Sequence, residues 1–109
     1  MKRTRRYANG NARRNLRKWI KEQGHNCYLC DYPINYDLRN PHPLAFVVDE
    51  VVPIAKGGSP LDEHNCKAAH RFCNQLKSDK TFTPQLKAEI KQAFIAKFHQ
   101  PTQQTIVEW

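Results

Sequence analysis

The sequence predicts an α+β fold, with a small metal-stapled core set between a basic N-terminal helix and an amphipathic C-terminal helix. Three observations lead there. β-rich runs at 45–48 and 51–54 flank the adjacent carboxylates Asp49 and Glu50. Two pairs of metal-binding residue types, Cys27 with Cys30 and His70 with Cys73, each enclose a gap of two. Leu86, Ile90, Phe94 and Phe98 recur at every fourth position, the period of a helix with one buried face.

A chain of 109 residues is the size of one ordinary domain, here organised as a basic arm and helix over 1–22, a core over 27–80 and a last helix over 83–99. Apolar residues make up 39% and aromatic residues 10%, enough for a core that a bound metal would help to hold. Within 11–23, Leu16, Trp19 and Ile20 fall at helical spacing and Gly24 supplies a stop. CYLC at 27–30 sits in a turn, and Pro33, Pro41 and Pro43 argue for irregular chain after it. The run at 45–48 reads as a buried strand that continues through 51–54 into a turn at Gly57 and Gly58. A short returning strand fits 65–69, and 71–80, free of Gly and Pro, fits a helix. Thr83 and Pro84 mark the start of the last helix, whose apolar stripe is core packing. The tail over 101–109 has no assignment.

Eighteen Lys and Arg against ten Asp and Glu give a net charge of +8, and half of the basic residues lie between Lys2 and Lys21. A solvated face is the bland account of such a run. The functional account is an arm that tracks phosphates, with Arg13, Arg14, Arg17 and Lys18 as contacts to nucleic acid. No apolar stretch approaches the ~20 residues of a membrane span, and no secretory core follows the first charges. The expected setting is therefore the cytoplasm, where four cysteines point to metal ligation more than to disulfides.

The two spaced pairs can close a tetrahedral zinc site, because a tight turn at each pair lets two side chains converge on one ion. Buried thiols and an ordinary histidine are the alternative. Cys66 competes for a ligand position but reads as a small core hydrophobe. Four protein ligands leave no open coordination position, so this zinc is expected to be structural.

CYLC, then VVDEVVPIAKGG, then Asn65, then HRFCNQLKSD, resembles the zinc-stapled branch of the HNH endonuclease family, and most of all its small free-standing phage members. The resemblance covers 16–80 and includes the P-x-x-K-G-G turn and the nine-residue step from Asn65 to Asn74. It implies a treble-clef-like ββα unit that holds one catalytic Mg²⁺ or Mn²⁺ against a scissile phosphate. Asp49 and Asn74 match the positions that hold that ion, and Asn65 matches the catalytic-site residue that orders the loop and helps fix the base. Glu50 falls where the family has its histidine base. It stands as a carboxylate base, as a second metal ligand, or as the mark of a site without catalysis, and His64 is a substitute base unless it is an ordinary exposed histidine.

The activity so implied is metal-dependent hydrolysis of DNA phosphodiester bonds, one strand at a time, with Arg71 and Lys77 as further phosphate contacts. The resemblance also implies a setting in phage DNA packaging with the terminase as partner. The rival is a zinc-stapled DNA-binding accessory without catalysis. A toxin-like nuclease is a third reading, although such proteins carry delivery domains.

Overall fold

The computed structural model describes residues 2–99, and for 2–9 the backbone alone. Three helices and a two-stranded antiparallel sheet follow the order α1 (Lys2–Gln23), β1 (Phe46–Glu50), β2 (Cys66–His70), α2 (Arg71–Lys77) and α3 (Pro84–Phe98). No helix among the described residues is long and apolar enough to cross a membrane. The tail over 101–109 lies outside the described residues.

Helix α1 begins well before the predicted 11–23 and ends at Gly24, whose φ of 68° suits glycine. Its apolar stripe is narrower than the spacing suggests: Ile20 is buried and Leu16 half-buried against the core, while Trp19 stays 44% exposed. Strands β1 and β2 pair from Phe46 with His70 through Glu50 with Cys66. Alternation sends Phe46, Val48 and Glu50 to the face crossed by α1, where Arg17 lies over the Phe46 ring. Val47 and Asp49 face α2, where Lys77 meets Asp49.

The strand does not continue through 51–54. It contains the acid pair and stops directly after it, and Ile54–Lys56 form a single 3₁₀ turn instead. The reason is chemical. Pro53 has no N–H for a ladder, and the Asn65 side chain takes the Val52 N–H at 2.9 Å and its carbonyl at 3.0 Å, the groups a strand partner would use. Helix α2 ends at Lys77 rather than at 80, where Ser78 takes a φ of 56°. Helix α3 starts as expected: Thr83 Oγ1 accepts the N–H of Leu86 at 3.0 Å, with Pro84 in the first helical position.

Leu86, Ile90 and Phe94 of α3 are buried together with Cys27, Leu29, Cys30, Phe46 and Cys73, so one core lies between α3, α2 and the 27–30 turn. Cys66 is also buried, at 3% exposure, in keeping with a core role.

Candidate metal centres

The 27–30 turn is closed by its own backbone: Asp31 N–H reaches the Cys27 carbonyl at 2.8 Å, and Cys27 N–H reaches that of Tyr32 at 2.9 Å. Tyr28 N–H ties the turn to β2 through the Ala68 carbonyl at 3.1 Å. Both ends of the second pair lie at one junction, because His70 closes β2 and caps α2 while Cys73 sits in the first turn of α2. The three Sγ atoms and one His70 nitrogen consequently lie within 4.8 Å of one another, and all four residues are buried.

This geometry fits zinc. A tetrahedral ion with Zn–S near 2.3 Å sets its donor atoms about 3.4–3.8 Å apart. Cys30 Sγ and Cys73 Sγ stand 3.3 and 4.0 Å from His70 Nδ1. His70 Nε2 faces the Pro33 carbonyl at 3.0 Å, which can only accept, so the proton belongs on Nε2 and the Nδ1 lone pair is directed at the sulfurs. His70 N–H also points to Cys27 Sγ at 3.4 Å.

Three thiols so close share negative charge unevenly. Those of Cys30 and Cys73 donate to Cys27 and hold it far below the usual thiol range, while Cys30 is pushed up to about 12, chiefly by its bond to Cys27. Cys73 is raised by its bonds to the same two sulfurs. A dication is the group that would let all three ionise together. The Phe94 ring closes the site from α3, stacked 4.8 Å from the His70 ring.

The acid pair has two environments, because neighbours on a strand point to opposite faces. Asp49 is 5% exposed, whereas Glu50 is half-buried at the rim. Asp49 Oδ2 accepts the Tyr28 hydroxyl and lies 3.3 Å from Lys77 Nζ, whose ammonium also donates to the Glu50 carbonyl at 2.8 Å. Burial raises the Asp49 pKa, and Tyr28 and Lys77 oppose that shift. Tyr28 is raised as well, by burial first and the Asp49 carboxylate second, so it remains a protonated donor.

Asp49, Glu50 and Asn74 line one cleft of about 600 Å³, together with Pro53, Ser78 and Asp79. Asn65 stands outside that cleft and acts on the loop beside it. Besides Val52 it reaches the Ser59 carbonyl at 3.0 Å, and a Cβ at Gly58 would lie 1.7 Å from the Val52 oxygen. The loop therefore folds tightly around the Asn65 amide, and glycine is required at 58.

Of the expected phosphate contacts, Lys77 is corrected. It is fully buried, with its ammonium committed to Asp49 and Glu50, because a residue three positions after Asn74 projects from the same side of α2 toward β1. Arg71 is half-buried and donates to the Pro41 carbonyl at 3.1 Å. Arg13 and Arg17 are exposed and line a cleft that reaches Glu50. Arg14 and Lys18 are exposed farther round α1, and Arg14 bonds Asn11. His64 is exposed on the loop before β2 and is not among the residues lining the acid cleft, with its N–H on Asp62 Oδ1 at 2.8 Å.

Sequence reasoning missed Tyr28 and Asp79 and gave Lys77 the wrong partner. Tyr28 carries no signal beyond its place between two ligands. Lys77 carries one, since it shares the side of α2 that bears Asn74.

Comparison of the chain with protein-family models, with curated proteins and with solved structures finds no match.

Proposed function

We propose that the protein is a metal-dependent DNA endonuclease of the HNH type that nicks one strand of its substrate. One observation carries this reading: Asp49, Glu50 and Asn74, 25 positions apart from first to last, line the same cleft beside the Cys3His cluster. Asp49 and Asn74 would hold a Mg²⁺ or Mn²⁺ ion, two oxygen donors of the kind hard cations take. When bound, such an ion supplies neutralising charge at the phosphate and at the departing 3′ oxygen. Glu50 at the rim takes a proton from water, which attacks phosphorus as the bond to the 3′ oxygen breaks. Asn65 keeps the adjoining loop folded so that the rim does not move. The Cys3His cluster holds a structural zinc, closed to chemistry by its four protein ligands.

A preference for DNA over RNA, and a setting in phage DNA packaging beside a terminase, rest on the family resemblance. A plasmid-nicking assay with added Mg²⁺ or Mn²⁺ tests the activity. Asp49→Ala and Asn74→Ala should abolish cutting, and Glu50→Gln should slow it by about 10²–10⁴-fold, the usual worth of a general base. Undiminished cutting by Glu50→Gln would take that carboxylate out of the role.

A second reading has its own observation. Asp49 already has an internal ammonium 3.3 Å away, which costs it affinity for a cation and suits a DNA-binding accessory without catalysis. DNA retardation without metal-dependent nicking would select that reading.

A further inference from the structure

Three surface clefts run into one another. The acid cleft shares Val48 and Glu50 with a second cleft lined by Arg13, Arg17 and Pro60. That one shares Arg17 with a third, mostly polar cleft of about 400 Å³, lined by Lys21, Arg39 and Asp37. The result is a trough that leaves the acid pair, crosses the α1 face of the sheet and ends between α1 and the 35–40 loop.

The cations along it are regularly placed. Arg13, Arg17 and Lys21 are spaced by four residues on α1, so they form one stripe with steps of about 6 Å. That step matches the separation of successive phosphates in a nucleic-acid strand. Arg17 is held in position with its guanidinium 4.6 Å from the centre of the Phe46 ring, which in turn packs on Tyr36 at 4.9 Å. Among the described residues none of Arg13, Arg17, Lys21 and Arg39 is ion-paired with a carboxylate, whereas Lys77, Lys87 and Lys91 all are. Asp37 is the one acid at the far end, against Arg17, Lys21 and Arg39 around it.

We propose that the Arg13–Arg17–Lys21 stripe, continued by Arg39, seats the phosphodiester backbone of one nucleic-acid strand leading away from the acid cleft. This rests on the nuclease reading for what lies at the near end of the trough, but the binding itself does not require cutting. Lys21 and Arg39 become contacts that the basic run alone did not single out. Arg14 and Lys18, on the same helix but off the stripe, contribute less.

The test is the salt dependence of binding to a fluorescent DNA duplex, measured on the zinc-loaded full chain without added divalent ion. Arg17→Ala, Lys21→Ala and Arg39→Ala should each reduce the slope of log K against log salt by about one. Arg14→Ala and Lys18→Ala make the same charge change and should reduce it by clearly less. Because Arg17 also packs on Phe46, Arg17→Lys serves as the folded control and should keep most of the slope. Equal losses for on-stripe and off-stripe variants would mean diffuse attraction and would overturn the track, as would binding of heparin without binding of DNA. The on-stripe pattern in a protein that never nicks DNA would leave the track standing and remove the nuclease reading. Nicking without that pattern would do the reverse.

Discussion

The Cys3His cluster and the acid cleft lie on the same short elements yet solve opposite problems. In the cluster all four side chains are buried and the histidine is oriented by a backbone carbonyl, so everything needed to hold an ion is internal. Of the three candidate site residues in the cleft only Asp49 is buried, and its charge is met from within by Tyr28 and Lys77, while Glu50 and Asn74 border open space. A closed site makes structure depend on metal. An open one keeps its fold without a ligand because the chain supplies its own counter-charge. Tyr28 joins the two, since it lies between Cys27 and Cys30 and donates to Asp49.

That contrast predicts the largest effect at the cluster. Cys73→Ser, or removal of zinc by a strong chelator, should abolish cooperative thermal unfolding, because the apparent binding energy of structural zinc, about 10–16 kcal/mol, exceeds the stability of a domain this small. Elemental analysis of wild type should find about one zinc per chain. An unchanged melting curve in a zinc-free sample would erase the contrast at its source.

At the cleft, Lys77→Met should destabilise by about 3–5 kcal/mol in urea denaturation, since it leaves the Asp49 carboxylate buried without its cation. Adding Asp49→Leu should restore most of that loss, because removing both charges ends the desolvation cost. A double variant as unstable as the single one would mean that Lys77 acts through its bond to the Glu50 carbonyl and not through Asp49. Between the regions, Asn65→Ala should cost about 1–3 kcal/mol, as the Val52 N–H and carbonyl lose their partners. Its nicking rate should fall further than its stability explains if the loop positions the rim.

The two regions also differ in how far they could be read from residues alone. The Cys3His cluster, which could hold zinc, is legible because each pair lies within one turn, so spacing along the chain is nearly spacing in space. The start of α3 was legible for the same reason, with Thr83 and Pro84 adjacent to the groups they cap. The end of β1 was not. Val51 and Val52 are good strand residues, and only Asn65, 13 positions after Val52, diverts their backbone into a loop. Lys77 reads from sequence as a phosphate contact because its reason for burial, Asp49, lies 28 positions earlier on a facing strand. Trp19 fitted the helical stripe, but α1 turns only Leu16 and Ile20 inward.

The smallest expected effect sharpens the account of how the cluster is held to α3. Asp31 follows the last ligand of the turn and meets Lys87 at 2.7 Å and Lys91 at 3.2 Å, with half of its side chain exposed. Lys87 foremost, with Lys91, holds its carboxyl below the usual range. A lowered carboxylate stabilises the fold above its unfolded pKa of about 3.9 and loses that contribution only as pH falls through the lower folded value. Between pH 6 and 8 the effect of Asp31→Asn should therefore be flat. Solvent screening limits it to about 0.2–1 kcal/mol, and in 1 M salt, where the Debye length is about 3 Å, it should shrink toward zero. Melting temperatures of wild type and variant across that pH range, at low and high salt, decide it. Because asparagine tolerates the φ of 69° as well as aspartate does, a difference that persists in high salt would not come from the backbone and would mean that the hydrogen bonds from Lys87 and Lys91, not screened charge, carry the contact.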